Sequence, residues 1–463
     1  MSRFLGVAKL LTVAVPFLFS GCMSNLASSV GVDINKESEQ ERMFALGDYA
    51  PSAALAEKNK KSMPSMLRAG NGYLYANNYK SSIALLDESE AVIKNQHESI
   101  VASTSAEYMA QLIINDAAVA YRASIAEAIM VNTYKSLDYM ALGKFEEARV
   151  ELNRAVERQR RAKETYAELI AKQKDVIAQK RQEKKNQGFD RTMNNPQIRD
   201  IVRQNYSSLE QFEAYPDFIN PFTTYLAGLF FLIEGDYAKS SSLLKEAYAM
   251  VPQNETLKSD FDMVESALEG NPLKERYVWV IYENGLGPVK KEYKINIPMF
   301  IASNKVFYTG IALPKMEIGR QATPTLAIFS ANKELGSTSV VGDMERVILS
   351  EFRYSYNDIL TRAVFSMLLK TYSQYEASEK NPYFGLATAA FQLLTTHADT
   401  RIWSTLPKDF QVAKVKMPED GKLHLRAGAQ NMDVKLGLGA RHSIVYVRLP
   451  TAMSKPSVSV INF

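Results

Sequence analysis

The chain has 463 residues, 55 Lys and Arg against 51 Asp and Glu, and a formal net charge of +4. That balance is too small to point to a nucleic-acid partner, and 46% hydrophobic with 23% charged residues excludes wholesale disorder. The length leaves room for two or three domains, and a single cysteine excludes an internal disulfide framework and a multi-cysteine zinc site.

At the start, Arg3 and Lys9 lead into an apolar run from Leu10 to Phe19, followed by Ser20-Gly21-Cys22. A basic start, about ten apolar residues and small residues behind them make a secretory signal over residues 1–21. The run is too short to span a bilayer, which takes about twenty apolar residues. Phe19-Ser20-Gly21-Cys22 resembles a bacterial lipobox, with Phe19 where leucine is usual. The resemblance implies that the Cys22 thiol takes diacylglycerol and, after cleavage, becomes an acylated N-terminus carrying palmitate-type chains. Three chains suffice for stable anchoring, because each buried methylene contributes about 0.8 kcal/mol. Met23, rather than Asp, follows the cysteine, and by resemblance to enteric lipoproteins this implies the periplasmic face of the outer membrane. Residues 22–41, Ser-rich and aperiodic, are expected to form a flexible tether.

Residues 42–272 repeat a pattern of bulky and small residues. One copy has Ala69-Gly70, Tyr73, Tyr79, Ser82 and Leu86. A second has Tyr139, Gly143-Lys144-Phe145, Ala148 and Leu152, and a third Ala227-Gly228, Phe231, Gly235-Asp236-Tyr237, Ser240 and Leu244. Small residues let two helices approach, a turn ending in an aromatic residue joins them, and further aromatics fill the gaps. The pattern resembles the tetratricopeptide repeat, whose period is about 34 residues. The spacing leaves room for one divergent pair around residues 98–130. Helix pairs cannot bury their apolar faces alone, so a solenoid with a concave surface is expected. Tyr73, Tyr79, Tyr139, Phe145, Phe231 and Tyr237 are its candidates for partner binding or for packing between repeats.

Residues 146–187 read as one long helix. From Arg154 to Lys185 there are eleven Lys/Arg and five Asp/Glu. Ala155, Ala162, Leu169 and Val176 recur every seven positions and make a narrow apolar stripe. Arg154, Arg158 and Arg161 form a candidate basic face, either for anionic lipid or cell wall or as a salt-bridged solvated surface. Asp87, Glu88 and Glu90 read as a solvated helix end.

Residues 273–463 read as a β-rich, sandwich-like domain with a helical insert at about 344–398, so the fold class expected is α+β. Tyr277 to Tyr282 is apolar on both faces, as in a central strand. Residues 292–297, 413–417 and 423–425 alternate as half-buried strands do. Trp279 and Trp403 are expected in the core; the other reading makes them a stacking platform for a glycan or for peptidoglycan.

The runs at 142–163, 282–298 and 398–407 together resemble a family of bacterial tetratricopeptide-repeat lipoproteins, over nearly the whole mature chain. The gene of that family often lies beside one for an outer-membrane lipoprotein activator of penicillin-binding proteins. The resemblance implies an envelope role and supplies no catalytic residues.

Chemical motifs are few. There is no phosphate-binding G-x-x-x-x-G-K-[ST], no H-E-x-x-H and no G-x-S-x-G. His397, Asp399 and Ser404 make a triad by composition, but helical spacing would turn 397 and 399 apart by roughly 200°. His424 lies between Leu423 and Leu425 and is expected to face solvent; His97 and His442 stand alone. No catalytic residue, metal site or cofactor is expected. The reading is a membrane-anchored scaffold or assembly lipoprotein that binds an envelope protein, of cell-wall synthesis or appendage machinery. The alternative is a lipoprotein that binds peptidoglycan through its β-rich domain.

Overall fold

One turn recurs through the helical half. A residue in the left-handed region stops the first helix of each pair: Gly47 (φ 81°), Asn77 (58°), Gly143 (69°) and Gly235 (85°). The next backbone N–H then reaches the carbonyl five residues back, Asp48 to Met43 at 3.0 Å, Asn78 to Tyr73 and Lys144 to Tyr139 at 2.8 Å, and Asp236 to Phe231 at 2.9 Å. This is the Schellman cap, which satisfies carbonyls that the helix end leaves open.

The structure, a computed structural model, describes residues 34–59, 62–102, 120–181, 194–196, 200, 219–271, 273–302, 305–380 and 397–463. The four turns join α1 (Ile34–Ala45) to α2 (Tyr49–Glu57), α3 (Met63–Tyr75) to α4 (Tyr79–Ala102), α5 (Ile125–Ala141) to α6 (Phe145–Arg181), and α7 (Pro221–Glu234) to α8 (Tyr237–Met250); α9 (Glu255–Leu268) follows. Within pairs the backbones come close where a side chain is missing. A Cβ on Gly70 would lie 2.7 Å from Leu86, and one on Gly228 would lie 2.8 Å from Leu244. In both cases the leucine comes sixteen residues after the glycine, so the two pairs are built alike.

Two expectations shift. The tether placed over residues 22–41 yields to helix from Ile34, because Leu46-Gly47-Asp48-Tyr49 supplies the same turn as Gly235-Asp236-Tyr237 and so starts an earlier pair. Gln40 is buried there and donates to the Ser52 hydroxyl at 2.8 Å. Of the divergent pair expected around 98–130, residues 103–119 lie outside the described residues, while 98–102 close α4 and 125–130 open α5.

Sheets follow the helices. β1 (Tyr277–Asn284), β6 (Ser339–Asp343), β7 (Asp409–Lys416), β10 (Ser443–Leu449) and β11 (Ser457–Asn462) form one sheet in the order β11-β10-β1-β7-β6. β1 runs parallel to β10, with Trp279 opposite Ile444, and antiparallel to β7. β4 (Ala327–Ser330), β5 (Lys333–Ser337), β8 (Lys422–Ala427) and β9 (Gln430–Lys435) form a second sheet in the order β5-β4-β8-β9. β2 (Val289–Ala302) and β3 (Lys305–Glu317) make a separate hairpin, which packs against α10 (Met344–Lys380).

Alternation along β1 decides the layering, since successive side chains of a strand point to opposite faces. Val278, Val280 and Tyr282 share a core with Ile328, Leu423, Leu425 and Val434 of the second sheet, which makes the two sheets a sandwich. Trp279 and Ile281 point the other way, into a core shared with α3, α5 and α7. There the Phe222 ring stacks on Phe410 with centroids 3.7 Å apart, and a Cβ on Gly342 would meet Phe222 at 2.7 Å. Every residue of α7 from Pro221 to Ile233 is buried. The boundary expected at residue 272 therefore separates helix from sheet along the chain, while the core runs across it.

Candidate binding cavity and the buried polar centres

Where helices meet sheet, the contact is organised by carboxylates. Glu283 of β1 accepts the Tyr75 and Tyr134 hydroxyls at 2.6 Å and the Tyr446 hydroxyl at 2.5 Å. Burial holds all three hydroxyls well above the usual tyrosine range, so they remain protonated donors. Arg448, fully buried, donates to the Glu283 and Gly285 carbonyls at 3.1 and 2.6 Å and to the Thr405 carbonyl at 3.2 Å. A second centre is Asp260 of α9, which accepts Trp279 Nε1 at 3.1 Å and the Tyr225 hydroxyl at 2.8 Å, with Lys414 Nζ at 2.9 Å. A third is Glu127 of α5, which accepts the Trp403 backbone N–H at 2.7 Å.

These centres correct the stacking reading. Trp279 and Trp403 are 0% and 1% exposed, so neither presents a ring face to a glycan. Their large apolar area goes to the helix–sheet core, and the Trp279 N–H finds Asp260 there.

The six aromatic candidates of the helix pairs also go to packing. Phe231 is in the core, and Tyr79, Tyr139, Phe145 and Tyr237 pack against it. Phe145 stacks on the C-terminal Phe463 at 4.7 Å, and Tyr73 donates to Glu57 at 2.6 Å.

The candidate basic face divides. Arg161 pairs with Glu157, four residues earlier, at 2.6 Å. Arg154 and Arg158 instead line a cavity of about 610 Å³ between α4, α5 and α6, together with Lys94, Arg122, Asp87 and Glu90. Ala91, Ile93, Ile125 and Ala128 add aliphatic surface to its lining.

Behind the cavity wall lies Lys135, 1% exposed, with Nζ at 2.7 Å from Asp87 and Glu90 and 3.0 Å from Glu151. Burial opposes its charge, but hydrogen bonds to Asp87 and Glu90 win and raise its pKa above the usual lysine value. Glu90 shows the reciprocal effect. Burial works against its charge, yet hydrogen bonds from Lys135 and Asn132 hold its carboxyl below the usual range. Arg158 donates to Glu90 at 2.9 Å and to the Ala128 carbonyl at 3.1 Å, and burial pulls its pKa down from the ordinary arginine value. Asp87 and Glu90 are thus part of an ion network, where the sequence pattern suggests a solvated helix end. The missed signal is Lys135, the one charged residue in the α5 stretch from Ala128 to Leu137.

His397, Asp399 and Ser404 do not converge. His397 Nδ1 lies 3.2 Å from Glu292, Asp399 binds Arg401 at 2.8 Å, and the Ser404 hydroxyl donates to Glu41 at 2.6 Å. The His424 side chain is half exposed and 2.8 Å from Asp433, while Leu423 and Leu425 are buried, as the alternation implies. Buried His442 accepts the Tyr277 N–H at 3.3 Å. Among the described residues, no group of three or more His, Cys, Asp or Glu is placed to hold a metal ion, and no helix is long and apolar enough to cross a membrane. Cys22 and the signal lie outside the described residues, as do residues 182–187 of the expected basic helix and 381–396 of the helical insert.

Compared with models of protein families the chain matches none, and no curated protein matches it either.

Proposed function

We propose that the protein is a lipid-anchored docking scaffold of the bacterial envelope, held by Cys22 at the periplasmic face of the outer membrane and binding a protein partner through its helix pairs. The observation that carries this reading is the repetition of one helix-pair unit. Four pairs share a Schellman turn, and two of them share the Gly–Leu close contact at equal spacing. That repetition is similar to a tetratricopeptide solenoid, an architecture suited to holding partner proteins. The side of α3, α5 and α7 that would form an open groove is committed to the chain's own sheets. In this reading the partner therefore docks on the α4–α6 side, where the cavity lies. The lipoprotein resemblance points to partners in cell-wall synthesis or appendage assembly.

The test is paired. Wild-type protein is expected in the membrane fraction, carrying labelled palmitate, and Cys22→Ala in the soluble fraction without label. Crosslinking of the anchored protein in cells is expected to recover one stoichiometric envelope protein. Membrane association and acyl labelling unchanged in Cys22→Ala would contradict the anchor, and the absence of any stoichiometric partner would contradict docking.

A further inference from the structure

The geometry points to the open edge of β9 as an interface between two copies of this chain, paired antiparallel about a two-fold axis at Val434. β9 ends the second sheet, with β8 on one side in unbroken register. The other sheet edges differ. β5 and β6 meet their neighbours through register breaks, at Ile328/Phe329 and Val340/Gly342, the kind of irregularity that blunts an edge. Asn254 also takes the Ser339 and Val340 carbonyls of β6, at 3.3 and 2.8 Å, and α5 packs against β11. Along β9, Asn431, Asp433 and Lys435 are exposed, Asp433 with 93% of its side chain in solvent, so this row is open.

Backbone direction fixes which residues pair. The Leu436 N–H donates to the Gly421 carbonyl at 2.8 Å, on the β8 side. Backbone groups alternate between the two sides of a strand, so Met432 and Val434 also turn to β8, and Asn431, Asp433 and Lys435 offer theirs to the open side. A second β9 meets them with Asp433 opposite Lys435 of the other copy, each pair exchanging two backbone hydrogen bonds. Val434 then faces its own copy, on the side where Met432, Val434 and Leu436 belong to the sandwich core. Charge favours the same register. Lys435 stands opposite Lys422 of β8, a like-charge pair. Glu419 and Asp420 lie in the turn before β8, where Asp420 accepts the Lys422 N–H at 3.1 Å, and neither forms an ion pair with the two lysines. Pairing brings each Lys435 a carboxylate, Asp433 of the other copy, and symmetry does so twice. A shift by two residues in either direction sets Asp433 against Asp433 or Lys435 against Lys435, so the charges select one register.

The test is sedimentation equilibrium of the full-length protein in a density-matched detergent. Wild type is expected to approach the mass of two chains as its concentration rises. Lys435→Glu should raise the dimer dissociation constant about tenfold, because both pairs turn repulsive together, and Asp433→Lys should do the same. Asp433→Lys combined with Lys435→Asp exchanges the charges and should restore dimerisation. These changes fall at exposed positions and leave the core intact. In a mixture of unlabelled and heavy-isotope-labelled wild type, carbodiimide should join Asp433 of one copy to Lys435 of the other. Wild type that stays at the mass of one chain, single variants that dimerise as wild type does, or an exchange variant that fails to recover would overturn the assignment. The docking reading is tested separately, by the crosslinking described above.

Discussion

Tyr75, the last residue of α3, donates its hydroxyl at 2.6 Å to Glu283 of β1, 208 residues further along the chain. Tyr134 of α5 donates to the same oxygen, and Tyr446 of β10 to the other. Two helix pairs and two parallel strands thus meet on one buried carboxyl group. A buried polar or charged group is costly unless its partners are in place, so this cluster forms complete or not at all. Such a requirement ties the helical and β halves into a single cooperative unit.

Glu283→Ala is expected to cost about 3–5 kcal/mol, because it removes the carboxylate 3.8 Å from the buried Arg448 guanidinium and strands three tyrosine hydroxyls in the interior. Tyr75→Phe removes one donor and should cost about 1–2 kcal/mol. Urea unfolding checks both. The far-ultraviolet dichroism, which follows the helices, and the tryptophan fluorescence from Trp279 and Trp403 should move together in one transition.

Gly228→Ala is expected to destabilise by about 1–3 kcal/mol, since its new methyl group meets Leu244 and backbone that cannot easily retreat. Leu244→Ala is costly in itself, since Leu244 is buried, but the double variant should lose less than the two single variants added together, a coupling that a double-mutant cycle detects. Gly70 with Leu86 should behave alike, since the two sites occupy equivalent positions of their pairs.

The dependence of stability on pH has two sources of opposite sign. Asp138 is fully buried, and burial raises its pKa well above the usual aspartate value despite the Ser82 hydroxyl donating at 2.6 Å. The folded chain then holds a proton that the unfolded chain releases, so this stability is complete below the ordinary aspartate pKa and is lost as pH rises toward the folded value. Asp138→Asn should flatten that loss as pH rises above the ordinary aspartate pKa. His442 is the reverse case, lowered by burial from 6.5 to about 4. The unfolded chain binds the proton first, so stability falls as pH drops from 6.5 to about 4, and His442→Gln should flatten that acid limb.

The local features of this fold are readable from the sequence, because turns and alternation are local physics. Gly143-Lys144-Phe145 and Gly235-Asp236-Tyr237 mark their turns by the need for a left-handed residue, and Asn77 serves the same need without glycine. Leu46-Gly47-Asp48-Tyr49 carries the same letters but lacks the small pair upstream that marks Ala69-Gly70 and Ala227-Gly228, so its helix pair is easily passed over. The run of β1 reads as apolar on both faces, and the structure supplies the reason: one face meets a sheet and the other meets helices. Pairing between distant segments is another matter. Lys135, Glu283 and Asp260 look like ordinary charged residues, and their partners lie 45 residues away for Glu90, 208 for Tyr75 and 35 for Tyr225. Arg154 and Arg158 stand out in a basic helix, but the cavity they enter needs α4 and α5 beside it.

The chain's own sheets fill the inner face of its helix pairs, so that helices and sheets share one core. Amide hydrogen exchange of the intact protein across low urea concentrations tests it most directly. If the claim holds, α5 and α7 exchange as slowly as β1 and β10, and all four reach the same opening free energy. Amides of α7 that open independently, at far lower free energy than those of β1, would contradict it.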